Sequence, residues 1–375
     1  MLRMLCARPA CAWCWPAEAQ AYLAGTELEA VLRVKAARLA SESAAAGVEE
    51  ETYRAACALA ASEANPWFGG SIVPFNWTLN WARLPNVEFE AEGRVVVGRA
   101  VKSICRGEEL TQEYADATAE LIYRYGFAPS TGAAPDGADL LENDVVSISI
   151  DLLISALSDG DDSDASPASE LMSRGEALCA SGVAAPSPWD GLEHILTVEL
   201  GADGEGACRL IGAVMGLLIP HATWPLVASQ IQAAADDDDE AAALLVAAAC
   251  AVDETVSHEL RRVAHENGGD DCDPWPALIS RMGCCPAVAM ARGAASRAVG
   301  ARRAQLEQAH YLSTPACFSP MDGPLGGQTR SPSQVSLPST PPVGEMLGEA
   351  WAMANSLRKV ELKILRDVES VFFAS

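Results

Sequence analysis

The chain has 375 residues, half of them apolar and 21% charged, enough for two domains of ordinary size and too apolar for a disordered polymer. Its formal net charge is −25, from 51 acidic against 26 basic residues, a balance that repels phosphate backbones and argues against nucleic-acid binding. No window carries the roughly 18 apolar residues of a membrane span, since the longest candidate, Ala241 to Val252, is short and flanked by acids.

The first residues, MLRMLCARPACAWCW, are basic and free of acids, but lack the length and Ser content of an organelle transit peptide. Cys11-Ala-Trp-Cys14 has the spacing of a redox motif. No strand–helix pattern precedes it, so these cysteines read as small apolar fillers. The 12 cysteines are scattered, as in an intracellular protein with reduced thiols, and Cys272, Cys284 and Cys285 have no neighbouring Cys or His at zinc-ligand spacing. The expected compartment is cytoplasmic or nuclear, with a plastid as the alternative.

From Ala17 to Ser62 the pattern is helical. Leu28, Val31, Leu32 and Leu39 fall near one face, with Arg33, Lys35 and Arg38 mostly on the other. Glu49, Glu50 and Glu51 open the next helix, where acids complement the N-terminal dipole. Between Val73 and Asn86 runs VPFNWTLNWARLPN, followed by a predicted hairpin, VEFEAEGRVVVGRA, with its turn at Glu92-Gly93. Arg106 to Phe127 then reads RGEELTQEYADATAELIYRYGF, closing in a short helical turn at Leu121 to Tyr125. Residues 159–167 are acidic and loop-like. From about Asp139 the chain reads as helical, with Ala- and Leu-rich runs over Ala207–Ile219, Asp239–His265 and Pro286–Tyr311. Ser313 to Gly344 is a Pro-, Ser- and Gly-rich linker, and Glu345 to Phe372 is a final amphipathic helix.

The two motifs around the hairpin resemble the C-terminal half of a SET methyltransferase domain of the Rubisco large-subunit methyltransferase type. In that family a Pro-led loop ending in Asn-His, then x-x-x-Pro-Asn, contacts S-adenosylmethionine. A Gly-Glu-Glu-Leu turn later leads into a strand ending in the active-site Tyr, and a Tyr-Gly-Phe follows. Asn80, Pro85, Asn86, Gly107, Tyr114, Tyr125, Gly126 and Phe127 occupy those positions here. The helices of residues 17–65, opening at YLAGTELEAVL, are similar to the insertion that interrupts the family's SET domain. The closing SLRKVELKIL resembles the last helix of its substrate-binding domain.

The resemblance implies an α+β fold: a partial SET domain over residues 1–138, with the helical insertion at 17–65 and the C-terminal SET half at 71–127. An all-α substrate-binding domain over 139–375, with a disordered loop at 313–344, would follow. It implies an S-adenosylmethionine-dependent protein methyltransferase, acting on a Lys- or His-bearing protein segment. Tyr114 would be the catalytic hydroxyl, and Asn80, Trp81, Tyr125 and Phe127 would contact the cofactor. Three positions depart from the pattern: Trp81 stands where the family has His, Trp77 where it usually has Asp, and Glu63 where it has Arg. The family's first strands, with their Gly-x-Gly turn, have no counterpart before Ala17. The expectation is a natural protein longer at its N-terminus by roughly a hundred residues, a domain-scale increment. The alternative is a non-catalytic protein-binding module that has lost the cofactor.

Overall fold

A computed structural model describes residues 11–64, 68–69, 71–93, 95–113, 115, 117–129, 140–158, 168–189, 191–234, 237–267, 273–313 and 343–373. The chain divides into two compact units, one of residues 1–144 with 308–360 and one of 145–307 with 361–375. The fold is mixed α+β. The expected boundary at 138/139, the acidic loop 159–167 and all of the 313–344 linker except its ends lie outside the described residues.

In the first unit the helix Glu27–Ala46 buries Leu28, Val31, Leu32 and Leu39, the face its spacing predicted. It stops at Gly47, whose left-handed φ of 64° lets its own N–H and that of Val48 reach back to Ala44 and Ser43. The helix Glu50–Glu63 starts where expected, because the Glu49 carboxylate accepts from the N–H groups of Glu51 (3.2 Å) and Thr52 (2.9 Å). These bonds, the Thr52 hydroxyl first, hold the Glu49 carboxyl below the usual carboxylate range.

Four short strands follow: β1 (Asn80–Trp81), β2 (Val87–Glu92), β3 (Val95–Ala100) and β4 (Thr111–Gln112). Strands β2 and β3 form the predicted antiparallel hairpin, from Val87↔Ala100 to Glu92↔Val95. The turn falls one residue later than expected, because Glu92 is the closing pair of the ladder and Gly93 supplies the positive φ of 64°. Opposite Phe89, Gly98 leaves room for the ring, since a Cβ there would lie 2.9 Å from Phe89 Cε1. Strands β1 and β4 pair in parallel, Asn80↔Thr111 and Trp81↔Gln112.

The second unit is not all-α. Three strands, β5 (Val146–Ser149), β6 (Ala185–Pro186) and β7 (Leu196–Leu200), form an antiparallel sheet in the order β5-β7-β6. The reason is a period of two: Val146 and Ile148 are fully buried while Ser147 and Ser149 stay half-exposed. Such β-branched alternation over four residues is easily lost among Ala- and Leu-rich neighbours.

The expected run Asp239–His265 is two helices, Asp238–Cys250 and Glu254–Asn267, broken at Ala251 with φ 50°. Asp253 makes the restart, its carboxylate accepting from Val256 N–H at 3.0 Å. Asp237 caps the first of the pair by accepting from Glu240 N–H at 3.0 Å. The core of this unit includes a fully buried ion pair. Arg174 holds Glu170 through Nε (2.9 Å) and Nη2 (2.7 Å), and donates to the carbonyls of Gly216 (2.7 Å), Leu217 (3.1 Å) and Ile219 (2.7 Å). The guanidinium thereby satisfies the C-terminal carbonyls of the helix Ala207–Leu218. Among the described residues, no helix is long and apolar enough to cross a membrane.

Candidate functional site

The two sequence motifs meet. The loop after β1 folds against the strand β4 and the turn before it, and one buried side chain, Asn86, joins them. Its Oδ1 accepts from Thr111 N–H (2.8 Å), and its Nδ2 donates to the Glu109 carbonyl (2.8 Å) and the Glu108 carboxylate (3.2 Å). Backbone bonds extend the seam, with Ala82 N–H reaching the Gln112 carbonyl (3.0 Å) and Asn86 N–H the Thr111 carbonyl (3.3 Å).

Gly107, at φ 88°, makes the turn that brings Glu108 round to its partners. The Glu108 carboxylate accepts from Cys105 N–H (2.9 Å), and this bond, then the Asn86 amide, holds its pKa below the usual carboxylate range. A second buried amide, Gln112, donates to the Asn76 carbonyl (2.7 Å) and accepts from the Asn76 amide. Asn76 and Gln112 are thus a closed buried pair between VPFNW and GEELTQEY.

Beside this seam lies an aromatic cluster. After β4 the chain makes a one-turn helix, Thr118–Glu120, which runs into a π-helical turn, Leu121–Tyr125, and stops at Gly126 with φ 68°. Asp144 anchors the start of this segment, accepting from Thr118 N–H (2.6 Å), Thr118 Oγ1 (3.0 Å) and Leu141 N–H (2.8 Å). Burial pushes the Asp144 carboxyl up, against the pull of those donors.

Trp81, Tyr125 and Phe127 pack on a core of Ala115, Leu121 and Leu141. The ring of Trp81 lies 5.9 Å from that of Phe127, and Tyr125 6.5 Å from Phe127. An open cleft of about 440 Å³ runs past Trp81, Arg83, Phe127, Pro129 and Leu141. Arg83 is exposed at its rim, with Nη2 on the Leu140 carbonyl at 2.9 Å.

The structure therefore brings together Trp81, Tyr125 and Phe127, of which Trp81 and Phe127 line the cleft. Asn80 is exposed, and its amide donates to the Glu109 carboxylate. The Trp81 indole N–H is committed to the Ala115 carbonyl at 2.8 Å, so Trp81 offers the cleft its face and not its donor. Tyr114 lies outside the described residues. Glu63 has one carboxylate oxygen that is buried without a hydrogen-bond partner among the described residues, and burial raises its pKa. That shift favours the neutral acid and weakens any repulsion between Glu63 and an anion.

Arg83, Asn76, Gln112 and Asp144 were not singled out by sequence reasoning. Arg83 carried a signal, being the one cation in the WARLPN loop; the other three have none outside the folded chain. No protein-family model matches the chain, and a search of curated proteins returns no match.

A cofactor of the S-adenosylmethionine kind carries a flat base at one end and a carboxylate at the other. The cleft has aromatic faces at Trp81 and Phe127, a guanidinium at Arg83, and a volume within the roughly 300–1,000 Å³ of small-molecule sites. The residues present fit such a group.

Proposed function

We propose that the chain is an S-adenosylmethionine-dependent protein methyltransferase, acting on a lysine-bearing protein segment. One observation carries the reading. The Asn80–Asn86 loop and the GEELTQ strand, some thirty residues apart in sequence, pair in parallel beside the cluster of Trp81, Tyr125 and Phe127. The SET resemblance requires that juxtaposition, and composition does not.

The cofactor, when bound, supplies an electrophilic methyl group on a sulfonium. Trp81 and Phe127 would offer its base one aromatic wall, and Arg83 would hold its carboxylate by charge-assisted hydrogen bonds. A lysine must be neutral to accept a methyl group, and desolvation as the substrate segment covers the cleft would disfavour the ammonium form. Alignment of amine and methyl then supplies much of the rate. The Tyr114 hydroxyl, a role that rests on the sequence alone, would orient the amine. The net charge of −25 suits a basic substrate segment.

A second reading has its own observation. Asn80 is tied to Glu109 and the Trp81 N–H to Ala115, so two of the expected cofactor contacts are spent inside the chain. This favours a protein-binding module without transfer chemistry. Calorimetry with S-adenosylmethionine, followed by transfer of labelled methyl to lysine- and histidine-bearing peptides, separates the two. Heat of binding that disappears in Arg83→Ala, with label on lysine, is the expected result. Neither heat nor label at millimolar cofactor would leave the binding-module reading in its place.

A further inference from the structure

The N-terminal Cys-Ala-Trp-Cys is more than apolar filling. Residues Ala12–Cys14 form a 3₁₀ turn with Cys11 at its N-cap, closed by Cys14 N–H on the Cys11 carbonyl at 2.9 Å. In a 3₁₀ turn, positions i and i+3 eclipse, and a rise of about 2 Å per residue sets their Cα atoms about 6 Å apart. A disulfide needs Cα atoms roughly 4.4–6.8 Å apart. The turn therefore sets the two Cα atoms within the span of a disulfide. Both are free thiols, Cys11 fully buried and Cys14 partly exposed.

The surroundings make the two thiols unequal. They are hydrogen-bonded to each other, and this bond lowers the pKa of Cys14, helped by the positive charge of Arg54 and opposed by burial. The same bond, with burial, raises that of Cys11. Arg54 is fixed in place, with Nη1 on the Trp13 carbonyl at 3.4 Å and Nη2 paired to Glu50. The accessible sulfur is thus the better nucleophile, and the buried one is positioned to resolve what it forms. Cys179, half-buried, has its thiol raised by desolvation alone.

We propose that Cys11 and Cys14 are a redox-active dithiol that reacts with low-molecular-weight disulfides. The Cys14 thiolate attacks one sulfur of the small disulfide and displaces the other as a thiolate, leaving a mixed disulfide on Cys14. Cys11 then gives its proton to the thiolate released in the first step and attacks the Cys14 sulfur, displacing the second small thiolate, which takes a proton from solvent. Two electrons pass from the protein pair to the small disulfide, giving one protein disulfide and two small thiols. The site also reaches the aromatic segment. Trp13, between the two cysteines, stacks on Tyr123 of the π-helical turn at 6.2 Å and carries the Lys35 ammonium over its ring at 4.7 Å.

The test uses the full chain equilibrated with oxidised and reduced glutathione, quenched with acid, alkylated with N-ethylmaleimide and mapped by peptide mass. The expected result is a Cys11–Cys14 peptide that has lost two hydrogens and takes no alkyl group, while Cys57 and Cys179 remain alkylated. Cys11→Ser should accumulate glutathione on Cys14, and Cys14→Ser should leave Cys11 unmodified. Arg54→Gln, a change in a partly exposed side chain, should slow alkylation of Cys14 by iodoacetamide severalfold while thermal unfolding stays that of the folded chain. Full alkylation of both cysteines in excess oxidised glutathione, or equal reactivity of Cys11 in Cys14→Ser, overturns the proposal. So does an Arg54→Gln chain that reacts at the parent rate.

Discussion

Asn86 offers the sharpest test of how the candidate site is held. Its side chain is 3% exposed and fills all its hydrogen-bonding capacity across the seam. Asn86→Ala removes the acceptor at 2.8 Å from Thr111 N–H and the donor at 2.8 Å from the Glu109 carbonyl. Stranding two part-buried main-chain groups, at about 1–3 kcal/mol each when fully buried, predicts a loss of about 2 kcal/mol or more. Asn86→Asp keeps the size and the Thr111 bond but turns the donor into an acceptor. Its new oxygen faces the Glu109 carbonyl and the Glu108 carboxylate, which its other donors keep ionised. The isosteric variant should therefore cost at least as much as the truncation, the reverse of a ranking by size. Urea unfolding at neutral pH, read by near-ultraviolet circular dichroism, gives the comparison through the midpoint at constant slope. An Asp variant within about 0.5 kcal/mol of the parent would refute the assignment of the seam to this amide.

Arg174→Met should destabilise the second unit by about 3–5 kcal/mol, because it strips the buried Glu170 carboxylate of its guanidinium, leaving it the His221 ring, and leaves three carbonyls without this donor; chemical unfolding measures it. Asp144 predicts a pH dependence. Burial raises its carboxyl above the ordinary value of 3.8, so its contribution to stability is full below that value and is lost as pH rises through the folded one. The stability difference between parent and Asp144→Asn should shrink from acid to neutral pH; a difference that widens would reverse the assigned shift.

The helices were legible because their signals are local. Glu49 and Asp237 sit at N-caps that their own acidic runs mark, and the stripe of Leu28, Val31, Leu32 and Leu39 reads directly from spacing. The hairpin was legible too, from β-branched residues around a Glu-Gly turn. The sheet of the second unit was not, since Val146 and Ile148 gain their meaning only from pairing with Val198 and Leu200 some fifty residues later. At the site, sequence order predicted which motifs would meet but not which atoms would join them. Asn76 with Gln112, and Asp144 with Thr118, are partners only after the chain has folded. That the Trp81 donor is spent on Ala115 could not be read from residue type, because indole at that position serves either purpose.

The parallel pairing of β1 with β4 also imposes an order of events on the nascent chain. Closing a loop of about thirty residues costs about 3 kcal/mol of chain entropy beyond a constant, before any bond across the seam compensates. The hairpin β2–β3 lies wholly inside that loop and needs nothing outside it to zip, a microsecond event. Once zipped, it takes some fourteen residues out of the loop and lowers the closure cost by about 0.5 kcal/mol. The hairpin is therefore expected to zip before the seam closes. Stabilising the hairpin turn should quicken refolding of the cleft although the turn touches none of its residues, whereas lengthening the turn should slow it.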